Sequence, residues 1–132
     1  MRSEVPIRAE SDILLARLAL REACAMVHFD AADTARVVTA GSELARNILL
    51  YAGLGVMRVG SLDAAGRRGI ELTFEDQGPG ITDVALAMTE GFSTSGGFGM
   101  GLPGAGRLMD GMSVRSSPGA GTTVTLTKWR PA

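Results

Sequence analysis

Residues 96–106, GGFGMGLPGAG, place six glycines in eleven positions. Glycine loses more backbone freedom on folding than any other residue, so such a run is unfavourable inside a helix or strand. The run is therefore read as a loop that offers its backbone to something, and regular structure is sought on either side of it. Pro103 sits where the first turn of a following helix accepts proline, which predicts a helix ending near Gly111. Glycines just before a helix leave amide groups pointing outward, and the positive helix end favours an anion such as a phosphate.

Two familiar phosphate loops are tested first. Gly99, Gly101 and Gly104 satisfy G-x-G-x-x-G, but GFSTSGG before them is not a strand, and no acidic residue follows about twenty positions on, as a dinucleotide fold expects. No G-x-x-x-x-G-K-[ST] occurs, which excludes a P-loop.

The rest of the chain suits one domain, taken as residues 1–132, because 45% apolar content in 132 residues builds one core. EVPIRA (4–9) reads as a strand. Ser11 and Asp12 open a helix whose apolar residues Leu14, Leu15, Leu18 and Met26 recur at helical spacing. His28 is read as a helix-terminus residue and Cys24 as a small buried hydrophobe. Asp30 or Asp33 caps a second helix to about Tyr51, with Val37, Ala40, Leu44, Ile48 and Tyr51 as its buried stripe. GVMRVGSL and GIELTFED form a hairpin across the turn DAAGRRG, and MSVRSS and TTVTLTKW flank the turn PGAG. Lys128 and Trp129 finish the last strand. The order predicts an α/β two-layer sandwich, a mostly antiparallel mixed sheet with helices on one face.

Thirteen basic and fourteen acidic residues, with no basic block, argue against a nucleic-acid partner. The apolar run Ile13 to Val27 is broken by Arg17, Arg21 and Glu22, so neither a membrane span nor a signal-peptide core is read there, and a cytoplasmic protein is the expectation. One cysteine permits no internal disulfide and no cysteine zinc cluster.

Two further segments carry chemistry. Glu43 and Asn47 are four apart on the second helix and share a face at the margin of the buried stripe. The amide oxygen there suits a magnesium-bound phosphate and the carboxylate a base; a solvated pair, with Glu43 facing an arginine, is the alternative. In DQGPGI, Asp76 projects where a strand ends, and Gly78 and Gly80 bare the backbone for a flat ligand. A carboxylate there accepts from an exocyclic amine, adenine's or guanine's; the alternative is a tight Pro-Gly turn.

In this order the three segments resemble the N, G1 and G2 boxes of the GHKL ATPase and kinase superfamily, which includes gyrase, MutL, histidine kinases and anti-sigma-factor serine kinases. SELARNILLYAG, EDQGPGI, GFSTSGG, GLPGAGRLMD and the terminal TKW narrow the resemblance to the RsbT-type serine/threonine kinases of bacterial stressosomes, over roughly residues 10–130. The resemblance implies the Bergerat ATP-binding fold. It makes Asn47 the magnesium ligand, Glu43 the base that activates a substrate hydroxyl, and Asp76 the acceptor from the adenine amine. By the same resemblance Gly78 and Gly80 shape the base pocket, Gly97, Gly99 and Gly101 close over the phosphates, and Thr122 helps bind adenine.

The implied cofactors are ATP and Mg2+. The implied substrate is a STAS-domain antagonist protein, and a PP2C-type phosphatase or its regulatory domain is the next partner. The histidine-kinase branch does not fit, because no helical dimerisation domain is expected in this length. The rival reading is a nucleotide-dependent switch that docks to the phosphatase without essential catalysis; a nucleotide-free structural partner is a third. Between Gln77 and Gly106 there is no lysine or arginine. The triphosphate is then met by magnesium, amides, the helix end and the hydroxyls of Ser93, Thr94 and Ser95, with Arg46 and Arg107 the nearest basic residues in sequence. Weak binding of isolated nucleotide is expected, with a partner helping to close the loop. Met88 and Met100 are read as packing residues beside it.

Overall fold

The structure is a computed structural model that describes residues 2–78, 104–116 and 118–131. Its elements are β1 (Arg2–Ile7), α1 (Glu10–Met26), α2 (Ala31–Tyr51), β2 (Gly55–Ala64), β3 (Arg67–Asp76), β4 (Gly111–Ser116) and β5 (Thr122–Trp129). Residues 104–108 are helical, where a third helix is expected.

The strands form one sheet in the order β1-β2-β3-β5-β4. Every pairing among the described residues is antiparallel, so the mixed character expected of the sheet is not seen there. Alternation along the strands buries one side only: Met57 and Val59 on β2, Ile70, Leu72 and Phe74 on β3, Val124 and Leu126 on β5. Both helices cover that side, which gives the two-layer α/β sandwich. Pro6 lies on the edge strand β1, where a missing N–H leaves no gap in the ladder.

The phase of α1 departs from the sequence reading. Ile13, Ala16, Leu20, Ala23 and Cys24 are buried, whereas Leu14, Leu15, Leu18 and Met26 are 60, 53, 52 and 52% exposed. The helix is apolar on both faces, so helical spacing alone fits either set. Contact with α2 decides, because Leu20 fills the space where a Cβ on Gly41 would stand. The start of α1 also shifts. Asp12 caps from the third helical position, accepting from the N–H groups of Arg8 at 2.9 Å and Ala9 at 3.0 Å. Arg8 and Ala9 therefore leave the first strand and belong to the cap.

The end of α1 is a Schellman turn: Phe29 N–H donates to the Cys24 carbonyl at 3.0 Å and His28 N–H to that of Ala25 at 3.1 Å. His28 takes the left-handed position, φ 62°, as a helix-terminus residue. Asp30 is the α2 cap, accepting from Asp33 N–H at 2.7 Å. Val37, Ala40, Leu44 and Ile48 are buried as the stripe predicts, and Tyr51 is half-buried. The β2–β3 hairpin is longer and its turn tighter than DAAGRRG suggests. Only Ala65 and Gly66 turn, both at positive φ, and Asp63 pairs with Arg68 within the ladder. Alanine is not a signal for a left-handed turn, so this corner was hidden.

Candidate nucleotide site

The site is assembled where three element ends meet. β3 ends at Asp76, and its register partners are Gly55 at the start of β2 and Thr122 at the start of β5. The last turns of α2 close over this corner. A Cβ on Gly78 would stand 2.7 Å from the Cβ of Ala52 and 3.1 Å from Asp76 Oδ1, and one on Gly55 would meet the Ile48 side chain at 2.9 Å. Asn47 and Glu43 precede Ile48 on the same helix, so three of the sequence candidates, Asn47, Asp76 and Thr122, come from separate elements to one end of the sheet.

Asp76 is half-buried and its Oδ1 accepts from Gly78 N–H at 2.8 Å. Burial raises its carboxyl above the ordinary carboxylate value; the N–H groups of Gly78 and Thr122 oppose this, and the charge of Glu75 adds to it. One oxygen is thus committed to the chain, and the group as a whole is under-solvated, which favours an incoming N–H donor.

Thr122 is buried, and its hydroxyl lies 3.0 Å from that of Ser116, which also donates to the Gly121 carbonyl at 2.9 Å. Gly121 has φ 77°, and a Cβ there would collide with the Asp76 carbonyl oxygen. This glycine lets β5 enter against Asp76. Ser116 and Gly121 were not among the sequence candidates; only the register that sets Thr122 opposite Asp76 reveals them.

Asn47 is half-buried, and its Nδ2 is buried without a hydrogen-bond partner among the described residues. A buried orphan amide is costly, and a half-turn of the carboxamide exchanges its nitrogen and oxygen. Its buried end can thus present an oxygen to a cation, so the side chain fits a magnesium ligand. Magnesium typically takes one or two protein ligands and completes its shell with phosphate and water, which agrees with a single amide. No cluster of three or more histidine, cysteine or carboxylate side chains exists among the described residues to hold a metal alone.

Glu43 is exposed on α2, one turn before Asn47. Arg46 and Arg107 are exposed. Gly80, Ser93, Thr94, Ser95, Gly97, Gly99 and Gly101 lie outside the described residues, as do Met88 and Met100. Lys128 and Trp129 do finish β5: Trp129 is stacked by Arg67 at 5.7 Å, and Lys128 is buried between Asp33 and Asp110. Cys24 is buried, which pushes its thiol up to about 11; a hydrogen bond with Thr34 opposes the shift and the charge of Asp33 adds to it. No helix among the described residues is long and apolar enough to cross a membrane.

Comparison with known proteins places the chain in a family. Residues 32–132 match the profile of the family described as histidine kinase-, DNA gyrase B-, and HSP90-like ATPase. The serine/threonine-protein kinase RsbT of Bacillus subtilis is 48% identical over 125 residues, covering 95% of this chain and 94% of the relative. Two anti-sigma F factors, from Caldanaerobacter subterraneus and a Thermoanaerobacter species, are 33% and 31% identical over 103 residues, each covering 74% of this chain and 71% of the relative.

Proposed function

Because this chain belongs to the histidine kinase-, DNA gyrase B-, and HSP90-like ATPase family, we propose that it is a single-domain serine/threonine protein kinase. It transfers the ATP γ-phosphate to a STAS-domain antagonist in a cytoplasmic sigma-factor stress pathway, and a PP2C-type phosphatase is its second partner. The observation that carries the reading is the convergence of Asn47, Asp76 and Thr122 at one sheet end, in a chain nearly half identical to a named kinase over almost its whole length.

In this reading Asp76 accepts from the adenine amine while Thr122, held by Ser116, supports the base. Gly78, with Gly80 beyond it, leaves room for the ring, and Gly97, Gly99, Gly101 and the hydroxyls of Ser93, Thr94 and Ser95 attend the phosphates. Asn47 would hold Mg2+, whose charge, when bound, would offset that of the triphosphate. Glu43 takes the proton from the substrate hydroxyl as its oxygen bonds to the γ-phosphorus. The bond between that phosphorus and the β–γ bridging oxygen breaks, and ADP leaves.

Glu43→Gln tests the assignment, because it removes the base and leaves the pocket. The variant should bind magnesium-ATP as the wild type does and lose phosphotransfer by about 100-fold or more, measured with labelled ATP and the STAS-domain protein. Unchanged transfer removes Glu43 from the chemistry. A wild-type chain that binds ATP and the phosphatase but transfers no phosphate favours the docking switch.

A further inference from the structure

The outer side of the two helices carries a second concavity. A groove of about 530 Å³ lies between α1 and α2, lined by Arg17, Arg21, Phe29, Thr34, Val38 and Thr39, with small alanines between them. Its floor is apolar, since Val38 is buried and Phe29 packs against the core. Among the described residues, the charged side chains that line it are the two arginines. They stand four apart on α1, one turn from each other on one rim, both exposed and with no ion-pair partner among the described residues. A chain of net charge −1 thus concentrates unopposed positive charge beside an apolar floor.

Two features say which way an occupant runs. Leu14 and Leu18, 60% and 52% exposed, lie on the outward face of α1 beside Arg17 and Arg21 and extend the apolar surface. On the opposite wall, Thr39 lines the groove, and Glu43 follows it by one turn on the same side of α2, about 6 Å along the axis. An occupant that continues one turn past Thr39 along α2 meets the carboxylate assigned as the base.

We propose that the α1–α2 groove docks the protein substrate through an acidic amphipathic segment. Its carboxylates meet Arg17 and Arg21, its apolar residues rest on Val38, Phe29, Leu14 and Leu18, and the phosphorylated serine or threonine is delivered past Thr39 to Glu43. The occupant and the delivery step rest on the kinase reading; the groove and its charge do not.

The test is the charge reversal Arg17→Glu with Arg21→Glu in the full chain, with the STAS-domain protein as probe. Both side chains are exposed, so the fold is kept, and Arg17→Ala with Arg21→Ala should act in the same direction more weakly. The reversal should raise KM for the protein substrate about tenfold or more, leaving kcat at saturation and ATP affinity as they were. Direct binding of the two proteins should weaken with rising salt in the wild type and lose that dependence in the variant. Binding and KM unchanged by the reversal overturn the groove and leave the kinase reading intact. Binding that depends on the arginines, in a wild type that transfers no phosphate, keeps the groove and removes the kinase. A wild type that does not bind the probe, or a concentration-dependent homodimer abolished by the reversal, overturns the proposal; the second outcome assigns the surface to another copy of the chain.

Discussion

Asp76 carries a cost in the free protein that the proposed reading turns into selectivity for a ligand. Burial raises its pKa, so the folded chain holds this proton to higher pH than the unfolded chain does. The associated stability is full below the unfolded value and is lost as pH rises through the folded one. In the proposed reading, an adenine amine would donate to the ionised carboxylate and draw the pKa back down. Nucleotide binding should therefore release a proton near the raised value, and affinity should fall as pH drops through it. Calorimetric titration in buffers of different ionisation heat reads this directly; an affinity flat across that window removes Asp76 from base recognition. Asp76→Asn should abolish the pH dependence and weaken binding roughly 10- to 100-fold, the range for a hydrogen bond to a charged group.

The helices illustrate how far local rules reach at the scale of elements. The α2 cap follows from Asp30 placed three residues before Asp33, and its carboxylate does accept that N–H. Asp30→Ala should cost about 1 kcal/mol, read as a lower midpoint in urea at an unchanged slope. A loss under about 0.3 kcal/mol would mean that packing of α2 alone sets its start. Helix α1 is the opposite case. Its periodicity is genuine, but two apolar sets satisfy it, and the buried one is selected by Leu20 lying over Gly41. The exposed Leu14 and Leu18 lie on the face of α1 next to the groove, where the docking proposal places them.

At the scale of the whole molecule, a charge cluster built on the buried Lys128 and Asp33 ties the helix layer to the sheet. Lys128 on β5 lies 3.7 Å from Asp33 at the start of α2 and 3.8 Å from Asp110, which precedes β4. Asp33 also pairs with Arg36 at 2.8 Å, and Asp110 accepts from Trp129 N–H at 2.8 Å. Lys128→Met leaves Asp33 buried with only Arg36 in reach and should cost about 3 kcal/mol. The double variant with Asp33→Asn should recover part of that loss, and a double-mutant cycle by chemical denaturation measures the coupling. Strictly additive losses would show that the two residues do not share one cluster. The outer-face pairs of Arg58 with Glu4 and Glu75 are solvent-screened, and little stability is expected from them.

The residue order alone established the class of this chain. Strand alternation and the α2 stripe depend on spacing within single elements, and the absence of a P-loop and the succession of Glu43, Asn47, Asp76 and the glycine run on the order of short motifs, all of which a linear pattern records. Ser116 and Gly121 beside Thr122 and Asp76, Lys128 between two carboxylates, the turn at Ala65 and the phase of α1 were not legible. Each depends on which distant segment lies opposite: Thr122 across from Asp76, Asp33 over Lys128, Leu20 on Gly41. Register and packing set those pairs, through close approach and shared burial between residues far apart in the chain. Local composition carries no record of them, and the folded arrangement alone brings them together.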